Sequence, residues 1–226
     1  MKLKSAMNYY NQHGCLETSK RILDKIGLKF IDRSIILVKL DLHSIPLDTQ
    51  VSCQTVILSQ EDVQKDRDYC DGWCTKEEAL SRLKEGHLLF AIKKNEKIIC
   101  YEWAEFNKVK IAYMDLHFCL PEDGAYLTRR FTVPEFRGKG IASQLERAIF
   151  QYLKMQGYCY LLGVTDPINQ AAVGMNRKTG WEDYQIIQYQ RYWFIKYYCV
   201  TKCNATECKR FITLFRAPKN IWKVFL

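Results

Sequence analysis

Apolar and polar residues follow two spacings along this chain, and the spacing changes several times between its ends. Short apolar runs rich in Val, Ile and aromatic residues are typical of strands, whereas apolar residues three and four positions apart are typical of helices. Strands are predicted over Phe30–Leu42, Ser52–Leu58, Leu88–Lys93, Lys97–Phe106, Lys108–Leu120, Ala125–Val133, Tyr158–Val164, Trp181–Tyr189 and Arg191–Val200. Helical segments separate several of them, so the pattern predicts a mixed fold of strands and helices.

Two of the predicted helices have recognisable ends. Thr75 and Glu78 have the spacing of a capping box, and Gly86 follows as a C-terminal stop. A longer helix is predicted from Gly140 to Gly157. Its apolar face is formed by Ile141, Leu145, Ala148, Ile149 and Tyr152. A helix with one apolar face is expected to pack on a sheet.

A glycine-rich loop joins the strand Ala125–Val133 to this longer helix. Pro134 cannot donate to a sheet ladder, so the strand is expected to end there. Gly138 and Gly140 allow a sharp turn, after which the first N–H groups of the helix point back at the loop. Two basic residues, Arg137 and Lys139, add positive charge beside the helix N-terminus. This combination predicts a phosphate-binding site.

The spacing Arg137-x-x-Gly140-x-Ala142 resembles the pyrophosphate-binding signature of the GNAT superfamily of acyl-CoA-dependent N-acyltransferases. A Walker loop would need Gly-Lys-Ser/Thr, which is not found here, and the three-glycine dinucleotide pattern is also missing. A second segment, which reads Asn169-Gln-Ala-Ala-Val-Gly-Met-Asn-Arg-Lys-Thr-Gly-Trp181, resembles the later signature of the same superfamily. The segment departs from that signature at Asn176, where relatives usually carry a tyrosine.

The resemblance covers roughly Val51–Val200 and implies an α/β (α+β) fold: a single GNAT-like domain with a mixed central sheet flanked by helices. It implies acetyl-CoA, or another acyl-CoA, as co-substrate; no metal is expected from the cysteine spacing. It also implies that the central strand and the later strand Tyr158–Val164 splay apart and leave a slot for the pantetheine arm. Cofactor-binding residues are then expected at Phe131, Thr132, Val133, Arg137, Gly138, Lys139, Gly140, Ile141, Ala142, Ser143, Asn169, Asn176 and Lys178.

The catalytic groups are less obvious in the sequence. Many relatives carry a carboxylate on the central strand just before the loop, but this chain has Arg129-Arg130 there. Glu102 and Glu105 on the preceding strand are our candidates for the general base, and a water relay is an alternative. Two further candidates for the general base, Asp115 and His117, lie on the next predicted strand, Lys108–Leu120. Asn176 can hydrogen-bond the thiolate but cannot protonate it as a phenol does.

Two residues are candidates for binding the acceptor. Alternate strand residues face opposite sides, so one arginine of the pair faces the slot. If this is Arg130, it would hold a carboxylate, as an amino acid acceptor offers. Trp73 lies in an irregular stretch, Asp66–Cys74, that could shape a pocket.

Charge and cysteine content narrow the functional classes. The 226 residues carry a formal charge of +9, but 34 basic and 25 acidic residues are spread along the chain. Nucleic-acid binding is therefore disfavoured against a polyanionic cofactor or an acidic substrate. The chain has ten cysteines, no recognisable signal peptide and no apolar run long enough to cross a membrane. We expect a cytoplasmic protein with reduced cysteines, none of which has the spacing of a zinc site.

Three parts of the chain are predicted to have different roles. Residues 1–50, with a helix over Ser5–Ile26, form an extension, residues 51–200 form the acyltransferase domain, and residues 201–226 form an apolar and basic tail. The extension or the tail is expected to dock on the domain or to form a homodimer.

The leading interpretation is an N-acetyltransferase that acts on a small-molecule primary amine. Two enzyme alternatives remain: acetylation of a protein N-terminus or lysine, and transfer of a longer chain from an acyl carrier protein. An alternative of another class is a sensor that binds acyl-CoA without turnover.

Overall fold

The computed structural model describes residues 30–46, 55–65, 75–114, 116–192, 195–203 and 208–214. Several predictions lie outside these residues: the helix over Ser5–Ile26, the stretch Asp66–Cys74 with Trp73, and Asp115. The chain divides into two compact units. The larger comprises Ile36–Ile111 and His117–Tyr184, and the smaller comprises Met1–Ile35, Ala112–Leu116 and Gln185–Leu226.

Eleven strands and four α-helices are found among the described residues. The strands are β1 (Phe30–Asp41), β2 (Thr55–Leu58), β3 (Leu88–Lys94), β4 (Lys97–Glu105), β5 (Lys108–Ile111), β6 (Leu116–Cys119), β7 (Gly124–Thr132), β8 (Tyr160–Thr165), β9 (Glu182–Tyr192), β10 (Ile195–Lys202) and β11 (Cys208–Leu214). The helices are α1 (Gln60–Lys65), α2 (Lys76–Lys84), α3 (Ile141–Met155) and α4 (Gln170–Lys178). The mixed α+β class predicted from the sequence is confirmed.

In the larger unit, the strands lie in the order β1-β8-β7-β4-β3-β2. All neighbours are antiparallel except β7 and β8, which run parallel. A parallel pair needs a crossover, and α3 supplies it between these two strands. The stretch predicted as one strand over Lys108–Leu120 is instead two strands, β5 and β6, interrupted by a short 3-10 turn.

Two apolar clusters lie on the two sides of this sheet, because successive residues of β4 face opposite ways. Cys100 and Ala104 pack with Ile149 and other apolar residues of α3. Tyr101 and Trp103 pack instead with the cluster that contains Val63 of α1 and Ala79 of α2. The helices α1 and α2 thus cover one face of the sheet and α3 covers the other.

Side-chain caps are found at the N-termini of α2, where Thr75 caps the helix as predicted, and of α4. The Thr75 hydroxyl accepts a hydrogen bond from the Glu78 N–H at 3.2 Å, and the side-chain Oδ1 of Asn169 accepts one from the Ala172 N–H at 3.1 Å. Such caps each stabilise a helix by about 1 kcal/mol. None of the four helices is long and apolar enough to cross a membrane, as far as the described residues go.

The smaller unit contains an antiparallel run of β9, β10 and β11. The Tyr189 and Tyr198 rings are buried with their centroids 5.0 Å apart, and the Tyr198 hydroxyl donates to the Met114 carbonyl at 3.0 Å. This supports core packing for these two aromatic residues. The strand β11 lies within the predicted tail 201–226 and was not predicted as a strand. The domain boundaries at residues 50 and 200 remain a prediction.

Candidate active site

The central strand β7 contains a bulge at the end nearest the glycine loop. Thr128 lies opposite Trp103 and Phe131 lies opposite Tyr101, so β7 has one more residue than β4 between these pairs. Arg129 takes up the extra length with a φ of 55°, a conformation that costs a non-glycine residue about 1–2 kcal/mol. A bulge redirects side chains and interrupts the hydrogen-bond ladder.

The pairing of β7 with β8 stops before this bulge. Their parallel register runs from Gly124 and Tyr160 to Leu127 and Gly163, and includes none of residues 128–132. Meanwhile β8 stays paired with β1 as far as Thr165. The two parallel strands therefore separate at their C-terminal ends, which is the slot that the resemblance implied.

The glycine loop and the N-terminus of α3 follow β7 directly. Gly138 and Gly140 have φ values of 73° and 76°, and the first backbone bond of the helix runs from the Gln144 N–H to the Gly140 carbonyl. In the part of the chain that the structure describes, the N–H groups of residues 141–143 donate to no backbone acceptor. A Cβ atom at either glycine would meet nothing within 4 Å, so the backbone here is open to a ligand.

Positive side chains surround this loop. The Lys139 and Lys94 ammonium groups lie 5.3 Å and 5.4 Å from the centroid of the Phe136 ring. The Arg137 Nε donates to the Thr132 carbonyl at 3.0 Å, which ties the loop to the end of β7. Free helix amides, open glycines and three cations are the groups that a pyrophosphate needs, so these residues fit acyl-CoA.

A buried polar network lies on the α3 side of the sheet. The Glu146 Oε1 atom accepts from the Arg130 Nη1 at 2.7 Å and from the Trp181 Nε1 at 2.9 Å. The Arg130 Nη2 donates to the Asn176 Oδ1 at 3.3 Å, and the Asn176 Nδ2 donates to the Thr165 hydroxyl at 2.6 Å. The network therefore connects β7 with β8, α3 and α4 around the place where the two strands separate.

Glu102 is the second carboxylate of this network. Its Oε1 lies 3.8 Å from the Arg130 Nη1, its side chain is 4% exposed, and its Oε2 has no partner among the described residues. Burial raises the pKa of Glu102 to about 8, against the opposing effect of Arg130 and with a further increase from Glu146. One guanidinium between two buried carboxylates favours keeping one proton in the group.

A second ionic cluster lies on the α2 side. Arg82 forms an ion pair with buried Glu105 and also with Glu78, which accepts a hydrogen bond from Arg129 at 2.8 Å. The pKa of nearby His87 is lowered by burial, and its Nδ1 accepts from the Phe106 N–H at 3.2 Å. This cluster holds the bulge of β7 against α2.

The structure brings together some of the predicted site residues and separates others. Phe131, Thr132 and Val133 lead into the glycine loop, while Arg130, Asn176 and Glu102 share the buried network. Glu105 contacts the α2 cluster instead. Lys178 is exposed in the last turn of α4, Asn169 caps that helix, and His117 is exposed on β6.

Three network residues were missed by the sequence reading: Glu146, Thr165 and the Trp181 indole. A signal for Glu146 was available, because it lies three and four positions before Ile149 and Phe150 on the apolar face of α3. A carboxylate at such a position is buried with a partner or destabilises the helix packing. Thr165 and the indole gave no comparable local signal.

Comparisons with known proteins agree with this architecture. The model of the acetyltransferase (GNAT) family matches residues 60–181, more than half of the chain. No curated protein matches the sequence.

Solved structures with the same fold include a Drosophila protein with 12% sequence identity and a TM-score of 0.50. The alignment covers 78% of this chain and 58% of that protein. A GNAT-family acetyltransferase from Colwellia psychrerythraea has 14% sequence identity and a TM-score of 0.51. The alignment covers 72% of this chain and 57% of that protein. A glucosamine N-acetyltransferase region of a fungal GH3 β-N-acetylglucosaminidase has 13% sequence identity and a TM-score of 0.51. The alignment covers 77% of this chain and 22% of that protein. The chain spans less than two thirds of each of these proteins.

Proposed function

The chain belongs to the GNAT acetyltransferase family, and we propose that it transfers the acetyl group of acetyl-CoA to the primary amine of a small molecule. The observation that carries the proposal is the separation of β7 from β8 beside the N-terminus of α3. A strand edge can pair with the amide groups of pantetheine, while the helix N-terminus holds the pyrophosphate. The thioester would then lie next to the bulge of β7.

Acetyl transfer forms a C–N bond between the amine and the acetyl carbon and breaks the C–S bond of the thioester. The negative charge that develops on the carbonyl oxygen needs a fixed donor, which the Thr132 N–H would supply. Successive N–H groups of a strand point to opposite edges, and the neighbouring Val133 N–H donates to the Ile99 carbonyl of β4 at 3.0 Å. The amine loses a proton, and the departing thiolate gains one. In this proposal no described side chain protonates the thiolate, which takes its proton from water.

Glu102 is the group we assign as proton acceptor. A base works best when its pKa is close to the working pH, and the pKa of Glu102 is raised to about 8. Its unpaired Oε2 can accept a proton through a water molecule. Glu105 is less suited, because Arg82 binds it on the α2 side. Asn176 is a positioning residue here, since both ends of its amide are used by Arg130 and Thr165.

Arg130 is the group that would hold a carboxylate of the acceptor. The hypothesis that Arg130 holds a substrate carboxylate must account for its bond with Glu146, which an acceptor would have to share or replace. If Arg130 binds the acceptor, amino acids should be better substrates than the matching amines without a carboxylate. Trp73 remains a candidate for the acceptor pocket and lies outside the described residues.

The test is thiol release from acetyl-CoA in the presence of a panel of amino acids, amines and lysine-containing peptides. We expect release with one class of small amine, with a rate that rises with pH towards about 8 in the wild type and lacks this rise in Glu102→Gln. Binding of acetyl-CoA without release for any amine would support the sensor alternative. A preference for long acyl chains would support the alternative in which an acyl carrier protein is the donor.

A further inference from the structure

A cavity of about 330 Å³ lies at the other end of α3 from the glycine loop. This volume is at the lower end of the range for ligand pockets, which is about 300–1,000 Å³. The helix has 15 residues, so about 22 Å separate the cavity from the loop. The cavity is therefore separate from the proposed pyrophosphate site at the N-terminus of α3.

Three aromatic rings line this cavity. They belong to Phe106, Tyr152 and Tyr158, and the centroids of Phe106 and Tyr158 are 5.1 Å apart. All three rings also pack against the apolar cluster under α3, which holds them in place. Aromatic rings attract cations through their quadrupoles, and an alkylated ammonium loses little hydration when it binds beside them.

Two helix C-termini meet at the same cavity, through Glu85 of α2 and Gln156 of α3. Both helices end in a Schellman motif. Its outer bond runs from His87 N–H to the Arg82 carbonyl at 3.1 Å in α2, and from Tyr158 N–H to the Leu153 carbonyl at 3.1 Å in α3. The Glu85 and Gln156 carbonyls accept no backbone bond among the described residues. The negative ends of both helix dipoles, each equivalent to about half a charge, therefore lie beside the cavity.

Glu85 adds a full negative charge. Its carboxylate accepts from the Ser81 hydroxyl at 3.1 Å and lies 3.8 Å from the His87 Nε2. His87 does not neutralise it, because burial lowers the pKa of His87 and its Nδ1 is occupied as an acceptor. None of the residues that line the cavity is basic, although the chain as a whole carries a charge of +9.

The backbone beside the rings is also unusual. Asn107 has a φ of 63°, and the Lys108 N–H donates to the Phe106 carbonyl at 2.7 Å. The tight turn at Asn107 fixes the end of β4 and the direction in which Phe106 leaves the sheet. Such backbone conformations cost about 1–3 kcal/mol and are found often at ligand sites.

We propose that this cavity binds an organic ammonium ion, with its alkyl groups against the aromatic rings and its charge facing Glu85 and the two helix C-termini. The proposal does not depend on acetyl transfer. It predicts a second site, occupied in the absence of acetyl-CoA, for a small molecule with an alkylated nitrogen.

The test is saturation-transfer NMR with choline as the probe and its neutral tert-butyl isostere, in which carbon replaces nitrogen, as the control. We expect saturation of the choline methyl protons and a much weaker signal from the isostere. Glu85→Gln should weaken choline binding about ten-fold, because one full charge is lost. Phe106→Leu should reduce the signal as well. Glu96→Gln, in the exposed turn between β3 and β4, is the matched control and should leave binding unchanged.

Equal signals from choline and its isostere would overturn the proposal, since they would show binding without recognition of charge. A choline signal that Glu85→Gln leaves unchanged would also overturn it. Glu85 is exposed and its replacement preserves size, so this variant is expected to fold even if Phe106→Leu does not. No signal from choline with the folded wild type would be equally decisive against the site.

Discussion

At the scale of single residues, the site depends on groups held in states that they would not adopt in water. Glu102 keeps a proton at neutral pH because it is buried. Arg129 adopts a positive φ in the bulge of β7, and its side chain donates to Glu78 on α2. Both states reduce the free energy of unfolding. A replacement that removes the buried carboxyl or the strained φ should therefore recover part of this stability.

The pH dependence of stability should change in Glu102→Gln. The folded carboxyl keeps its proton up to about pH 8, whereas the unfolded one releases it near 4.5. The folded state thus binds more protons in this window, and the free energy of unfolding falls as pH rises through it. Chemical denaturation should show a smaller fall in the variant, and at pH 8 the variant should be more stable by a few kcal/mol.

Glu122→Gln, in an exposed turn, is the matched control for this measurement and should keep the wild-type pH dependence. If the free energy of unfolding changed with pH in parallel for the wild type and Glu102→Gln, the raised pKa of Glu102 would be contradicted. A gain in stability together with a loss of transfer rate would fit a carboxylate kept for catalysis.

The bulge can be tested with two replacements of Arg129. Both Arg129→Ala and Arg129→Gly lose the contact with Glu78, but only alanine retains the cost of a positive φ. The glycine variant should therefore be more stable than the alanine variant by about 1 kcal/mol in urea denaturation.

Arg147 is exposed in the middle of α3 and serves as the comparison position, because glycine inside a helix is less stable than alanine by about 1 kcal/mol. The order of the two variants should thus reverse between positions 129 and 147. The same order at both positions would show that the conformation of Arg129 is not strained.

At the scale of elements, the buried network holds β4, β7 and α3 together at the slot. Arg130 on β7 lies between Glu102 of β4 and Glu146 of α3, so either carboxylate can balance its charge when the other is neutral. Residues that share a partner in this way are not independent in their effects on stability.

A double-mutant cycle should therefore be strongly non-additive. Glu146→Gln alone leaves Glu102 to take the negative charge, and Glu102→Gln alone leaves Glu146 in place. The double variant leaves a buried guanidinium without a carboxylate, which typically costs about 3–5 kcal/mol of stability. Of this loss, about 1–3 kcal/mol should exceed the sum of the two single-variant losses and is the coupling energy. Denaturation of all four proteins at pH 7 measures the coupling, and additivity within about 0.5 kcal/mol would disprove a shared role.

Local elements were predictable from the sequence because their causes are local. Thr75 and the paired glycines act within a few residues of the helix end that each one sets. Network partners are distant instead: Arg130 is 16 residues from Glu146 and 46 from Asn176, so their contacts depend on how strands pair. The bulge at Arg129 likewise depends on the register between β7 and β4, which no sequence pattern in either strand specifies.

At the scale of the whole molecule, sequence motifs and structure agree on one region. The two signatures lie on either side of β8, and the fold places the glycine loop and the Asn176 network around the separated strands. The strand β11 was not predicted, since its residues were assigned to a tail on the basis of their apolar and basic composition. Composition alone does not distinguish a docked tail from an added strand.

Titration calorimetry with acetyl-CoA tests the central claim, that the loop before α3 binds the cofactor, most directly. Gly140→Ala and Gly157→Ala make a matched pair at the two ends of α3, since both positions have a positive φ and open space around a new Cβ. Both variants should lose similar stability, but only Gly140→Ala should weaken binding, by about ten-fold or more. Absence of binding to the wild type, or equal weakening in both variants, would contradict the account.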